Sequence, residues 1–527
     1  MMWPPALVPV ADRIADLADR WAAIADRRFA WADDTRRAAL LLFLGHVVFW
    51  TLYATLSHGN LADSPDMVEN WTWGKEWQWG YYKHPPFFAW VVGAWFAILP
   101  RADWAYYLLA ALNSAVGLAG VFALARVATS DADIARRRLV SVAGLALTPA
   151  YGFLAMKFNA NAVLVAVWPW AAWAFLAALR SPTIARGAVL GLLLAVAMLS
   201  KYASVALVAA MVLTVLLDPE RRRLLVSPAM IATVVVAGLA FAPHVVHLVR
   251  TDFSTFAYAE HTRAASTGQF LNYFARFPLS QALFMLPVLG ALLVALPIAD
   301  WRALGHVLDV ATTDRRRVAL LTLLPFLSLT AIGVVEWARL SSQWGFAMWF
   351  ALPWLLVSTP GLSEPRLRMP RLAALVATVW GLLLLTAIPT DVIGVATGAR
   401  VHLEPNAELG REVTRIWREA TGGKRLAVVT GTFQLAHEIG FYSPDDPSVL
   451  IEWDYTKSPW LTPESVAASG LAVICDGTEE PACSDDAKKR LGEDLVIHDL
   501  MLAKHWYWMT LKPHAYRLLL RLPRPPA

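Results

Sequence analysis

Between Asp63 and Trp90 the chain reads DSPDMVENWTWGKEWQWGYYKHPPFFAW, a stretch that crowds acids, lysines, a histidine, two adjacent prolines and many aromatic rings into 28 residues. Asp66 follows Pro65 directly. A carboxylate held among aromatic side chains can accept the proton of an attacking hydroxyl or amine. Ser-Pro-Asp is also a helix-start signal, and Asp66, Asp63 or Ser64 would serve as a cap there; both readings stay open. Glu69 is three residues from Asp66, so on a helix the two carboxylates share a face and could hold a divalent ion. Two acids alone do not define a metal site. Lys83 and His84 are held extended by Pro85 and Pro86 ahead of a helix start, where free amides beside a cation suit a phosphate. The plain alternative is a lysine snorkelling toward lipid headgroups. Lys201 interrupts a long apolar run, where a charge requires a partner such as a phosphate or a buried carboxylate.

These residues sit in a chain built for a membrane. Of 527 residues 57% are hydrophobic and 17% charged, with a mean hydropathy of +0.47, which excludes an ordinary soluble enzyme. The formal net charge of +5 does not point to nucleic acid, because the arginines fall in short clusters between apolar runs. The N-terminus lacks the order of a cleaved signal peptide, so the first apolar run reads as a retained anchor. Asp, Glu, Lys and a proline pair exclude 63–90 from the hydrocarbon, and its Trp and Tyr residues favour the membrane surface.

The short apolar segment 86–100 decides the topology. If it lies along the outer surface, eleven spans follow, at 38–58, 103–125, 139–156, 160–179, 187–200, 202–217, 226–247, 280–299, 318–335, 343–359 and 372–390. The arginine clusters at 126–138, 180–186, 221–223, 302–317 and 366–371 then share the cytoplasmic side, as the positive-inside bias requires. The chain divides into a cytoplasmic lead-in at 1–37, a transmembrane catalytic domain at 38–395 with its first outer loop at 59–102, and an extracytoplasmic α/β domain at 396–527. Two half-length helices are expected to meet at Lys201. In the last domain strands are expected at 425–430, 448–453, 471–475, 495–501 and 515–521, with helices at 432–440 and from Pro463. Cys475 and Cys483 read equally as a small-loop disulfide or as two free thiols.

Other polar residues expected near the outer face are Lys157, Asn159 and Asn161; His244 and His247; Tyr258, Glu260, His261 and Arg263; Asn272, Tyr273 and Arg276; and Glu336, Arg339 and Gln343. Singly, each also reads as a loop or cap residue. There is no HExxH, phosphate-cradling glycine loop or dinucleotide fingerprint, so a cytosolic nucleotide-sugar enzyme is poorly supported.

The run from Asp66 to Trp90 resembles the bacterial family 39 glycosyltransferases, the protein O-mannosyltransferase and lipid A aminoarabinose transferase group of the membrane-embedded C-type fold. The resemblance is carried by Asp66, Trp71 and Trp73, Gly80-Tyr81-Tyr82, His84-Pro85-Pro86, the segment Lys157 to Asn161, Trp168-Pro169 and Ser200-Lys201-Tyr202. It covers about the first 400 residues. It implies a polyprenyl-phosphate sugar donor, inverting transfer on the extracytoplasmic face of a bacterial inner membrane, and Asp66 as base. The acceptor it suggests is an envelope glycolipid or polysaccharide. Lys83, His84, Lys201, Tyr202, Tyr82, Asn159, Arg263, Arg276 and Arg339 form the expected donor-phosphate and substrate set. Met67 stands where the family often has glutamate, so an Asp-Glu metal pair does not carry over, and no cofactor is expected. A lipid-linked substrate transporter, a protein O-glycosyltransferase and a membrane scaffold are the competing readings; an inverted repeat of broken helices, which would favour the transporter, is not visible.

Overall fold

The computed structural model describes residues 8–61, 65–129, 134–219, 221–362, 364–397, 404–477 and 480–523. Asp63 and Ser64, the alternative caps, lie outside the described residues. The helical part runs α1 (Val8–Arg28), α2 (Thr35–Ser57), α3 (Pro65–Gly74), α4 (Phe87–Phe96), α5 (Asp103–Val127), α6 (Ala135–Ala146), α7 (Ala162–Arg180) and α8 (Ile184–Ser200). It continues through α9 (Val205–Leu216), α10 (Pro228–Arg250), α11 (Ser254–Ala259), α12 (Thr267–Ala295), α13 (Thr313–Val335), α14 (Leu352–Val357) and α15 (Met369–Ala396).

Among the described residues seven helices are long and apolar enough to cross a membrane: α2, α5, α7, α10, α12, α13 and α15. The apolar runs at 187–200 and 202–217 are α8 and the stretch ending in α9, both shorter. The helix breaks at Lys201, whose backbone is extended, as expected from the charge. The runs at 139–156 and 343–359, expected as spans, are not continuous helices. α6 stops at Ala146, ahead of Pro149, which cannot donate to a helix ladder. The second run splits into a 3-10 turn at Ser342–Gly345 and the six-residue α14. α4 has ten residues and reaches about 15 Å, half of a hydrocarbon core, so α4 alone is too short to cross.

Several of these helices start on a side-chain cap. Asp34, Thr183, Ser227, Ser266 and Thr312 each accept from backbone amides one turn on. At one end of the bundle the arginine-bearing loops hold one another. Arg136 pairs with Asp33 at 3.0 Å, Arg371 with Asp26 at 2.8 Å and Arg180 with Asp314 at 3.6 Å. Arg137 donates to Leu362 O at 2.6 Å, and the buried Arg317 donates to Asp218 at 2.5 Å. The clusters therefore share one end, as expected from the sequence.

At the other end α3 lies across α4. A Cβ on Gly74 would stand 2.3 Å from Ala89 O, and one on Gly93 2.4 Å from Gly74 O. Only glycine permits this backbone contact.

After residue 404 come α16 (Asn406–Thr421), β1 (Val428–Gly431), α17 (Phe433–Tyr442), β2 (Ser448–Val449), α18 (Pro463–Ser469), β3 (Leu471–Asp476), α19 (Glu480–Leu491), β4 (Val496–Leu502), the β5 (His505–Trp506) and β6 (Met509–Thr510) hairpin, and β7 (His514–Arg521). The five-stranded sheet has the order β2-β1-β3-β7-β4, with β1 parallel to both neighbours and β7 antiparallel to both. The strand expected at 448–453 is only two residues long before a 3-10 turn at Ile451–Trp453. Cys475 and Cys483 are disulfide-bonded across the β3–α19 connection.

This sheet unit sits on the 59–102 loop through α17. Trp71 Nε1 donates to Gly440 O at 3.3 Å, Arg101 to Phe441 O at 2.9 Å, and Lys75 to Pro447 O at 2.6 Å. Tyr442 donates to Asp103 at 2.9 Å and accepts from Leu61 N at 3.1 Å. The two parts therefore lie at the same end of the bundle. Gly93→Ala is expected to cost about 1–3 kcal/mol through the forced α3–α4 separation, seen as a lowered apparent Tm of the purified protein; an unchanged Tm would show that the contact is soft.

Candidate functional site

Pro65 opens α3, and Asp66 in its first turn is exposed. Its Oδ2 accepts from Asn159 Nδ2 at 3.0 Å. Asn159 is buried, and its Oδ1 accepts from the amides of Asn161 and Ala162 at 2.9 and 3.1 Å, so a residue tied to the start of α7 also fixes the carboxylate. Two residues on, Asn161 Oδ1 accepts from Lys201 Nζ. The ammonium also faces the Trp344 ring at 5.4 Å. Asp66 and Lys201 feel each other's charge, yet each is bonded to a side-chain amide just ahead of α7. Both remain able to meet a third group.

A second cation stands nearby. Lys83 Nζ donates to both oxygens of the buried Glu69, at 2.9 and 3.1 Å. Trp73, Tyr82, Tyr258 and Phe433 surround it, with ring centroids 4.8 to 5.9 Å from the nitrogen, a set of cation–π contacts. Burial pushes Glu69 up to about 7 against the pull of Lys83. Burial acts to lower Lys83, but the Glu69 carboxylate outweighs it and holds the ammonium above its ordinary value. Glu69 thus faces Lys83, while Asp66 faces Asn159. Among the described residues no three His, Cys, Asp or Glu side chains gather as a metal cluster.

Tyr81 and His84 close a tight turn, Tyr81 N donating to His84 O at 3.0 Å and His84 N to Tyr81 O at 3.3 Å. His84 is pushed down to about 3 by burial and by the charges of Lys201 and Lys83. At neutral pH it offers a hydrogen bond and no charge. Gly80 passes against α10: a Cβ there would lie 2.4 Å from His247. Tyr202 OH and His244 Nε2 are 2.7 Å apart, and His244 Nδ1 lies 2.6 Å from Trp79 O, which ties the break at Lys201 to the outer loop.

The structure thus gathers Asp66, Tyr82, Lys83, His84, Asn159, Lys201 and Tyr202 from α3, the 80–86 turn, the start of α7 and the α8–α9 break. Arg263, Arg276 and Arg339 are placed differently. Arg263 pairs with Glu336 at 3.3 Å, Arg339 donates to His261 O, and Arg276 is on the exposed flank of α12. Sequence reasoning did not single out Trp344, or the Phe433, Glu452 and Lys457 side chains of the C-terminal unit. Nothing in local spacing marks them. His437 of α17 supports the site from behind, 2.7 Å from Thr72 Oγ1, which donates to Glu69 O at 2.9 Å.

Residues 83–247 match the family model described as dolichyl-phosphate-mannose-protein mannosyltransferase. The match begins at Lys83 and takes in His84, Asn159, Lys201 and Tyr202; Asp66 precedes it. Among solved structures the chain is similar to ArnT from Cupriavidus metallidurans bound to undecaprenyl phosphate, with 12% identity over 91% of this chain and 97% of that one and a TM-score of 0.57. It is also similar to the Archaeoglobus fulgidus oligosaccharyltransferase tethered to an acceptor peptide, with 13% identity over 88% of this chain and 69% of that one and a TM-score of 0.44. No curated protein matches the sequence. The fold is shared with that ArnT structure over most of both chains. The relation to the O-mannosyltransferase and ArnT group expected from the residues around Asp66 is borne out.

Glu69 faces Lys83, Tyr82 and, at longer range, Asp66. As pH falls through about 7 it takes up a proton, and the Lys83 ammonium loses its counter-charge. Affinity for a phosphodiester, whose single charge does not titrate in this range, is therefore expected to rise severalfold between pH 8 and pH 6. The rise should vanish in Glu69→Gln, measured by titrating the purified protein with a polyprenyl-phosphate sugar. A wild-type affinity that falls on acidification would contradict the assignment.

Proposed function

We propose that this protein is a glycosyltransferase that moves a sugar from a polyprenyl-phosphate donor to a cell-envelope glycolipid or polysaccharide, on the extracytoplasmic face of a bacterial inner membrane. The observation that carries the reading is the Asp66–Asn159 and Lys201–Asn161 arrangement: an exposed carboxylate on α3 and an ammonium at a helix break, each bonded to an asparagine just ahead of α7. Asp66 takes the proton of the acceptor hydroxyl as its oxygen bonds to the anomeric carbon. The bond from that carbon to the phosphate oxygen breaks, its electron pair stays on the phosphate, and polyprenyl phosphate leaves. Attack opposite the leaving group inverts the anomeric centre.

Lys201 meets the growing phosphate charge, with Lys83 as a second cation and the neutral His84 and Tyr202 as hydrogen-bond partners. This use of lysines favours transfer without a divalent metal. An apolar crevice of about 410 Å³ between α8, α9 and α10 ends at Phe241, whose ring is 5.2 Å from His244 beside Tyr202. It suits a polyprenyl tail whose phosphate reaches Lys201. The docking of the C-terminal unit at the end opposite the arginine clusters supports placing both it and the site outside the cytoplasm. The matched family's description supports a second reading, in which the acceptor is a protein hydroxyl.

Reconstitution with defined polyprenyl-phosphate sugars and envelope fractions, followed by product mass, tests the reading and names the acceptor. Asp66→Asn is expected to lower turnover by about a hundredfold or more with donor binding retained; near-normal turnover would reject the base. Lys201→Ala is expected to weaken donor binding by about tenfold or more; unchanged affinity would remove its phosphate role.

A further inference from the structure

Tyr82 and Lys83 of the 80–86 turn, both bonded to Glu69, form part of a cavity of about 430 Å³ whose other walls come from the α11 region and from the C-terminal unit. Tyr258 and His261 supply one wall; Phe433, Glu452 and Lys457 supply the other. The volume falls in the range of small-molecule sites. Its lining mixes two kinds of group. Tyr82, Tyr258 and Phe433 contribute aromatic rings, and Glu452 and Lys457, ion-paired to each other, have side chains 49% and 31% exposed. Lys457 Nζ lies 5.4 Å from the Tyr82 ring. The pairing of aromatic faces with a carboxylate acceptor and an ammonium donor is the chemistry that recognises a sugar ring. C–H faces pack on the rings while hydroxyls bond outward to both signs of charge.

We infer that this cavity, resting on the transferase reading above, is a binding site for a sugar unit of the acceptor, so that the acceptor is a glycan or glycolipid. The acceptor is favoured over the donor sugar for two reasons. Four of its ten lining residues, Phe433, Glu452, Thr456 and Lys457, belong to the C-terminal unit, which α17 docks onto the outer loop, and none of the ten lines the apolar crevice at α8–α10. The cavity also shares only Tyr82 and Lys83 with the Asp66 site, leaving Lys201 to hold the donor phosphate. Lys83 is bonded to Glu69, one turn of α3 from Asp66, so a sugar seated here lies beside the helix that carries the base.

The test reads binding without turnover. Saturation-transfer NMR on the detergent-solubilised full chain uses methyl mannoside, glucosamine and glucose 6-phosphate as probes, and fluorescence titration follows a polyprenyl-phosphate sugar in parallel. At least one probe is expected to receive saturation from the wild type, and the signal should fall fivefold or more in Lys457→Met and in Glu452→Gln. Donor affinity should stay within twofold in both, which also shows that the variants are folded. Absence of transfer to every probe, or transfer unchanged in both variants, would overturn the site. Loss of donor affinity equal to the loss of probe binding would instead assign the cavity to the donor and overturn the acceptor claim. Failure of the transferase reading would be seen separately, as a lack of product in the reconstitution.

Discussion

Two side-chain amides at the start of α7 hold together everything that this site can do. An aspartate and a lysine near a membrane surface would ordinarily collapse into an ion pair and satisfy each other. Asn159 and Asn161 stand between them, one donating to Asp66 and the other accepting from Lys201. Asn159 can do so rigidly because its own oxygen is fixed by the amides of Asn161 and Ala162 at the start of α7. The carboxylate and the ammonium are thereby held within reach of one bound molecule. The apolar runs on either side of Lys201 serve the same end, because the break puts a cation where lipid and polar surface meet.

The rest of the outer end keeps that arrangement in register. α3 carries both Asp66 and Glu69, and it is pressed from one side by α4 through the Gly74–Gly93 contact and from the other by α17. The sheet unit is thus part of the site's scaffold as well as an attachment to the bundle. His437, Gly440 and Phe441 bond to α3 or its flanks, and Phe433 closes over Lys83. The ion pair of Lys83 with Glu69 is buried and hydrogen-bonded, the condition under which such a pair holds its geometry rather than merely costing desolvation. It sets a lysine in place before any ligand arrives.

Much of this was legible in the chain. Lys201 stood out because a charge inside a long apolar run requires a reason, and Asp66 because it opens a polar, aromatic stretch just after the first span. The clustering of arginines at one end followed from their spacing between apolar runs, and their loops do touch. Other features could not be read. Apolarity reports burial in lipid or protein and does not guarantee a continuous helix, so 139–156 and 343–359 were expected as spans although Pro149 and the break after Gly345 interrupt them. Arg263, Arg276 and Arg339 resemble site cations in sequence, and only their partners separate them from Lys83 and Lys201. Phe433, Glu452 and Lys457 reach the site across about 350 residues, a distance at which no periodicity or local motif carries information.

The central claim is that a lipid-borne phosphate sits on Lys201 while Asp66 faces the carbon it leaves. Cryo-electron microscopy of the protein bound to a polyprenyl-phosphate sugar tests this most directly. The phosphate is expected within hydrogen-bond reach of Lys201, with the anomeric carbon turned toward Asp66 and the tail in the crevice between α8 and α10. A sugar phosphate held elsewhere, with Lys201 still bonded to Asn161 and Asp66 remote from the sugar, would contradict it.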